Sequence, residues 1–301
     1  MIEFSTLHKK SCPICNSLQS KFLGMRGGKF QREGLGIESN IFQCLNCYLV
    51  YPNPFPIPKT LESLYGDTND YFSKKESWEV RAKLYEPLVE EFINRLGDNK
   101  KEIKLLDIGA GRGEFCQAAL SFSNVNCIGT EVSLGSIQYA QERGIKLHNK
   151  SLQDLIAEGK VYDGICLNAV LAHVHEPAKF IEEASQLLRK GGLIYIDTPN
   201  EPNLYTAIGN FYNKITGSKA VLNLNPTWQP YAVYGFNSSA LRVLLERNKI
   251  KISDIAIYGD PTIPLAGGLK DKILARIGAM IQKLANLLSL GTNMYVWGKK
   301  L

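Results

Sequence analysis

Three groups of residues in this chain have types and spacings that chemistry could use. Cys12-Pro-Ile-Cys15 and Cys44-Leu-Asn-Cys47 are two CxxC pairs with 28 residues between them. A two-residue spacer lets both sulfurs of a pair face one ion, so the two pairs predict one tetrahedral zinc. Four thiolates leave no open position for water, which makes the expected ion structural. The second group is LLDIGAGRGEF, residues 105–115. Gly109, Gly111 and Gly113 let the backbone approach a ligand, and the helix they open offers free N–H groups. The dinucleotide fingerprint needs another glycine three positions after Gly111, where Glu114 stands. Asp107, just before the glycines, would repel a pyrophosphate but hold an ammonium group. Glu131, twenty residues after Gly111, can accept both ribose hydroxyls of a nucleoside. The two acids predict a nucleoside joined to an amino acid. The third group is AVLAHVHEP, residues 169–177, where His173 and His175 alternate beside Glu176. These read as metal ligands, as a proton relay, or as residues without chemistry.

Apolar periodicity predicts the elements that must position these groups. IKLLDIG, NVNCIGTEV, IKLHN, YDGICLNAV and LIYIDTP read as strands. They alternate with helices through about 121, around 134–143, and over PAKFIEEASQLLRK, the last stopped by Gly191 and Gly192. KSLQDL reads as a turn. Such alternation implies an α/β, Rossmann-like, doubly wound sheet, completed by a helix near 238–248 and the strands IKISDIAIYG and NMYVWGKK. Residues 1–58 read as a small zinc ribbon closed by the prolines of YPNPFPIP as a linker. Residues 59–101 read as a linker and helical lead-in, with a kink or a second helix start at Pro87. The main domain spans 102–301, with 200–236 as a lid or substrate insertion and 268–290 as an amphipathic helix.

Residues 102–199 resemble the class I S-adenosylmethionine-dependent methyltransferases. The motifs that carry the likeness are LLDIGAGRGEF, GTEVS, SLQDL, YDGICLNAVLAHVHEP and LLRKGGLIYIDTPN. The resemblance implies a seven-stranded sheet finished by an antiparallel hairpin, and S-adenosylmethionine as cofactor. It places Asp107, Gly109 and Gly111 at the methionine end, Glu131 on the ribose, Leu152 and Gln153 beside the adenine, and Asn168 near the sulfonium. The zinc module ahead of such a core is similar to a sugar C-/O-methyltransferase subgroup, which implies that aromatic residues near Tyr71 and Tyr85 help close the pocket. That subgroup commonly places histidines before a phenylalanine in the insertion, whereas WQPYAVYGF offers Tyr231, Ala232 and Tyr234. Without that base, removal of a proton alpha to a carbonyl is disfavoured. The expected reaction is therefore methyl transfer to a small-molecule or glycan-type acceptor, at a sugar hydroxyl, with sugar C-methylation as the alternative. Tyr231 and Tyr234 then shape the pocket or pack the lid. His173 either braces the loop under the cofactor or accepts the acceptor's proton. His175 reads as a surface residue leading into the helix that Pro177 begins.

Composition narrows the setting. Of 301 residues, 45% are apolar and 21% charged, ordinary globular values, and the net charge of +6 is too mild to imply nucleic acid. No aromatic-basic RNA-binding signature is present, so nucleic acid is not the expected partner. A zinc-ribbon RNA-modifying or RNA-binding factor, and an inactive fold kept for interaction, are the readings from other classes. No apolar leader and no run of about 18 apolar residues is visible. Seven cysteines without a secretion signal predict a reducing compartment, the cytoplasm. The amphipathic helix over 268–290 either touches an anionic membrane surface or packs on its own domain or a partner.

Overall fold

The computed structural model describes residues 4–30, 37–60, 77–97, 102–224, 231–259 and 269–301, with backbone alone over 269–275. Five short strands come first: β1 (Phe4–Leu7), β2 (Ser20–Arg26), β3 (Ser39–Cys44), β4 (Val50–Pro52) and β5 (Phe55–Pro58). β2, β3 and β4 form one antiparallel sheet, and β1 pairs antiparallel with β5. Three of the four prolines of YPNPFPIP, Pro52, Pro56 and Pro58, therefore lie within strands, with Pro54 in the bend between them, contrary to the expected linker. Each of those strands has a ladder partner on one side only, which is where a residue lacking an N–H is tolerated. Two helices follow, α1 (Trp78–Lys83), capped by Ser77, and α2 (Glu86–Leu96). Pro87 stands in the first turn of α2, so it starts a second helix and kinks nothing.

The main layer runs β6 (Ile103–Ile108), α3 (Glu114–Ala119), β7 (Val125–Thr130), α4 (Leu134–Gln141), β8 (Leu147–His148) and α5 (Leu152–Ala157). It continues with β9 (Tyr162–Asn168), α6 (Pro177–Leu187), β10 (Leu188–Pro199), α7 (Leu204–Ile215) and α8 (Ser238–Arg247). β11 (Ile250–Tyr258), α9 (Leu269–Leu287) and β12 (Asn293–Lys300) finish the chain. Seven strands form one sheet in the order β11-β12-β10-β9-β6-β7-β8, with β12 antiparallel to both neighbours and the remaining pairs parallel. This is the expected Rossmann-like α/β sheet. IKLLDI and YDGICLN are buried almost throughout, as parallel strands covered on both faces must be. The chain leaves β6 for β7 on one side and returns to β9 on the other, so the C-terminal ends of β6 and β9 bound a crevice.

Local chemistry overrode periodicity in three places. KSLQDL opens α5 and is not a turn, because Ser151 and Asp154 close a capping box. α6 ends at Leu187, ahead of the expected glycine stop. Gly191 and Gly192 instead serve an irregularity at the start of β10, where Gly191 has φ 72° and a Cβ on Gly192 would meet the Asp163 carbonyl at 3.0 Å. The stretch 200–236, read as irregular, contains α7, and its flanks bridge to the N-terminal strands at Met25–Ala220 and Val50–Gly235.

α8 connects the two halves. It buries Ala240, Leu241, Leu244 and Leu245, and its ends grip both cysteine loops. Its cap Asn237 donates to the Tyr48 carbonyl at 2.8 Å, and Arg247 donates to the Ile14 carbonyl. One apolar cluster runs from Cys12, Ile14 and Leu49 to Leu241, Ile194 and Ile165. The N-terminal strands and the main sheet therefore share a core.

Candidate active site

A cleft of about 940 Å³ opens at the C-terminal ends of β6, β7 and β9. That volume suits a ligand larger than a metabolite fragment. Asp107, Gly109, Gly111, Glu131, Leu152, Gln153, Asn168 and His173 all line it, brought together from the ends of β6 and β9 and from the segments that follow β6, β7, β8 and β9. Gly109, Gly111 and Gly113 have φ of 69°, 56° and 79°, a region that side chains rarely adopt. A Cβ on Gly109 would lie 2.6 Å from Val170 Cγ2, and one on Gly113 2.8 Å from Ile145 Cγ2. Glycine is required there by both strain and space.

The acids around this loop differ in their partners. Glu114 is paired with Arg112 at 3.2 Å and Arg81 at 3.5 Å. Glu131 accepts the Gly111 N–H through Oε2 and the Val132 and Ser133 N–H groups through Oε1, each at 2.8 Å. These bonds hold the glycine loop to the end of β7 and leave lone pairs for further donors. Burial still pushes the Glu131 carboxyl above its usual range. Asp107 is buried, and among the described residues no cation pairs with it. Burial, then the charges of Glu114 and Glu131, push its carboxyl well above the carboxylate range. An uncompensated carboxylate of this kind costs free energy until a cation reaches it. The side chains present fit the expected amino acid joined to a nucleoside: Asp107 for an ammonium, Glu131 for hydroxyls, and a positive-φ glycine loop lining the cleft between them.

The remaining cleft residues orient one another. Leu152 is buried, and the Gln153 amide donates to Glu183 at 2.8 Å. Asn168 donates to the Tyr85 hydroxyl at 2.6 Å, and Tyr85 itself lines the cleft. Tyr71 lies outside the described residues. His173 Nδ1 donates to the Tyr231 carbonyl at 3.0 Å. A carbonyl can only accept, so Nδ1 carries the proton and Nε2 keeps its lone pair. Burial lowers the His173 pKa from 6.5, favouring the neutral ring. His175 is not the surface residue expected from sequence. It lines the same cleft, meets the Phe55 ring edge-on at 5.5 Å, and has its pKa lowered by burial and by Lys9. Tyr234 is buried against Phe55 at 5.3 Å and donates to the His175 carbonyl at 3.0 Å. It packs the N-terminal strands and does not line the cleft.

Some residues that adjoin the site without lining the cleft escaped the sequence reading. Trp78 donates from its indole to the Arg112 carbonyl at 3.1 Å, which ties α1 to the glycine loop. Asp197 stands opposite Asn168 in the β10–β9 register and accepts the Tyr195 and Tyr258 hydroxyls. Burial pushes the Asp197 carboxyl up to about 6, against those two donors. The only sequence signal for Asp197 was its place at the end of a strand. Tyr258 is remote in the chain and reaches it through the late hairpin.

The second site is closed. The sulfurs of Cys12, Cys15, Cys44 and Cys47 all lie within 4.8 Å of one another, with Cys12–Cys47 and Cys15–Cys44 both at 3.5 Å. Metal–sulfur bonds of about 2.3 Å give tetrahedral sulfur–sulfur edges of about 3.8 Å, so the cluster could hold a metal ion. The two loops match each other. Asn16 and Tyr48, which follow the second cysteine of each pair, have φ of 61° and 62° and return N–H bonds to the Cys12 and Cys44 carbonyls at 3.1 Å. A hydrogen bond from Cys47, then amides of Cys15 and Ile14, hold the Cys12 thiol down to about 5 against its burial. The paired histidines take no part in any such cluster among the described residues.

Comparison with known proteins gives consistent likenesses. A family model for the methyltransferase domain matches residues 80–248. A ubiquinone biosynthesis O-methyltransferase of Pelagibacter ubique is 26% identical over 149 residues, 48% of this chain and 60% of that protein. An uncharacterized protein of Methanocaldococcus jannaschii is 35% identical over 91 residues, 30% of this chain and 42% of that protein. The chain thus spans about half the length of these relatives. The crystal structure of magnesium protoporphyrin IX methyltransferase from Synechocystis, with bound SAH, superposes with a TM-score of 0.52. That match has 13% identity and covers 80% of this chain and 98% of that one, so it speaks to fold alone.

Proposed function

The chain belongs to the methyltransferase domain family, and from that premise we propose that it moves a methyl group from S-adenosylmethionine to a hydroxyl oxygen of a small-molecule or glycan-type acceptor. The observation that carries the proposal is the buried Asp107 carboxyl, which meets the Cys166 thiol but has no counter-cation among the described residues, beside the glycine loop that lines the cleft. When bound, S-adenosylmethionine supplies a methyl carbon already activated by its sulfonium. The chain's own task is to bind and orient. Asp107 takes the ammonium, Gly109 and Gly111 admit the methionine end, Glu131 accepts the ribose hydroxyls, and Leu152 with Gln153 flank the adenine. Asn168, held by Tyr85, bounds the reacting end of the cleft. His173 takes the acceptor's proton at Nε2, the nitrogen that its bond to Tyr231 leaves free. Transfer to oxygen is supported by relatives named as O-methyltransferases. A sugar acceptor is supported by the cysteine module that precedes the domain, and zinc is the ion its four thiols suit.

Calorimetry with S-adenosylmethionine tests the binding half. Micromolar affinity that falls at least about tenfold in Glu131→Ala is expected, since that residue meets two hydroxyls. No binding to the intact chain would end the enzyme reading. The acceptor half is tested by S-adenosylhomocysteine release over a panel of sugars, nucleotide sugars and phenols. Because burial disfavours the His173 cation, kcat/KM should rise with pH through a pKa below 6.5. His173→Gln should lose that limb along with most of kcat. If the limb survives in His173→Gln and disappears in Asp197→Asn, the base is Asp197 and not His173.

A further inference from the structure

Two neighbouring helices carry their hydrophobicity on the outside. α7 buries only Thr206, while Ile208, Phe211, Tyr212 and Ile215, spaced i, i+3, i+4 and i+7, face solvent. That spacing is the apolar stripe of an amphipathic helix, and it ordinarily points into a core. α9 repeats the inversion. Over its described side chains it buries Gly278, Gln282 and Ala285, and exposes Ile277, Met280, Leu284 and Leu287. Phe211 is 66% exposed, Met280 71% and Leu287 81%. By contrast α8 turns its leucines inward. The two inverted helices lie side by side, joined by the Tyr205 hydroxyl donating to the Gly278 carbonyl and by Leu204 N–H to the Leu290 carbonyl at 3.0 Å. Exposed apolar stripes on two adjoining helices mark a candidate docking surface.

Charge selects the occupant. Residues 204–224 and 269–290 carry Lys214, Lys219, Lys270, Lys272, Arg276 and Lys283 against the single acid Asp271. These two segments thus hold a net +5 of the chain's +6. A second copy docking by the same face would bring like charges together, whereas an anionic bilayer surface supplies both a place for the apolar side chains and counter-charge for the lysines. No helix among the described residues is long and apolar enough to cross a membrane, so contact is in the interface plane. We infer that the paired outer faces of α7 and α9 bind the surface of an anionic lipid bilayer.

Flotation of the full chain with vesicles of phosphatidylcholine, with or without phosphatidylglycerol, tests this. Partitioning should rise about tenfold or more with phosphatidylglycerol and fall with added salt. The triple variant Phe211→Ser, Met280→Ser, Leu287→Ser should lose partitioning by about tenfold or more while melting and binding S-adenosylmethionine as the parent does. A charge variant, Lys214→Glu with Lys219→Glu and Lys283→Glu, should lose the preference for anionic vesicles with its apolar stripe intact. Equal partitioning into both vesicle types would overturn the inference. So would a dimer in sedimentation equilibrium that the triple variant dissociates.

Discussion

The cleft and the cysteine cluster are both assembled from groups that are costly to bury, carboxylates in one and thiols in the other. They handle the cost in opposite ways. In the cluster, four sulfurs face one another within 4.8 Å, and the loops around them are gripped at both ends of α8. Nothing there is left for an exchanging ligand. In the cleft, Glu114 is satisfied by two arginines and Glu131 by three backbone amides, yet Asp107 has no counter-cation among the described residues and its carboxyl is pushed up by burial. A buried carboxyl without a counter-cation at the edge of a wide opening suits a ligand that comes and goes. On the proposed function, the contrast is between a site for stability and one for turnover.

The largest effect should come from the closed site. If the four cysteines hold the proposed zinc, replacing Cys44 and Cys47 by serine should abolish metal binding and cost more than about 4 kcal/mol, seen as a large drop in melting temperature with loss of metal by elemental analysis. Because the cysteine loops and α8 share a core, methyl transfer should fall with them. A variant that melts like the parent would show that the cluster contributes no fold stability and would erase the contrast.

The open site should behave in the reverse manner. Asp107→Asn should weaken S-adenosylmethionine binding by about 100-fold, since it would remove the proposed partner of the ammonium group. Its melting temperature without ligand should stay level or rise, because an uncompensated buried charge has gone. A lower melting temperature with unchanged affinity would place Asp107 among structural groups.

The smallest effect concerns Asp197. Its carboxyl titrates at about 6 in the fold against an ordinary 3.8, so the native state binds more protons than the unfolded state between those values. Its contribution to stability therefore declines as pH rises from 3.8 to about 6. Asp197→Asn should stabilise the protein above pH 6 by on the order of 1 kcal/mol, and the gain should vanish near pH 4 in a denaturant titration series. A gain that is flat with pH would mean that the carboxyl is not held protonated by its surroundings.

How much of this was legible beforehand varies by element. The glycine loop was readable because its requirement is local: positive φ at Gly109, Gly111 and Gly113 is a property of three residues and the turn they make. The same holds for the cysteine pairs, whose two-residue spacers encode the loop geometry directly. His175 was misjudged, and the packing role of Tyr234 was left as one of two alternatives, because their neighbours Phe55 and Lys9 are far off in the chain. α5 was missed because a capping box, not apolar period, starts it.

The sequence by itself determined the alternating α/β pattern, the acid before the glycines, the acid twenty residues later, and two cysteine pairs matched to one ion. Each of these rests on short-range spacing, which the chain carries with it whatever it packs against. Only the tertiary structure decided that eight cleft residues converge, that α8 clamps both cysteine loops, that His173 presents a free Nε2, and that α7 and α9 face outward. These depend on which strands pair and which helix faces are covered, and contacts of that range are set by the packed fold as a whole.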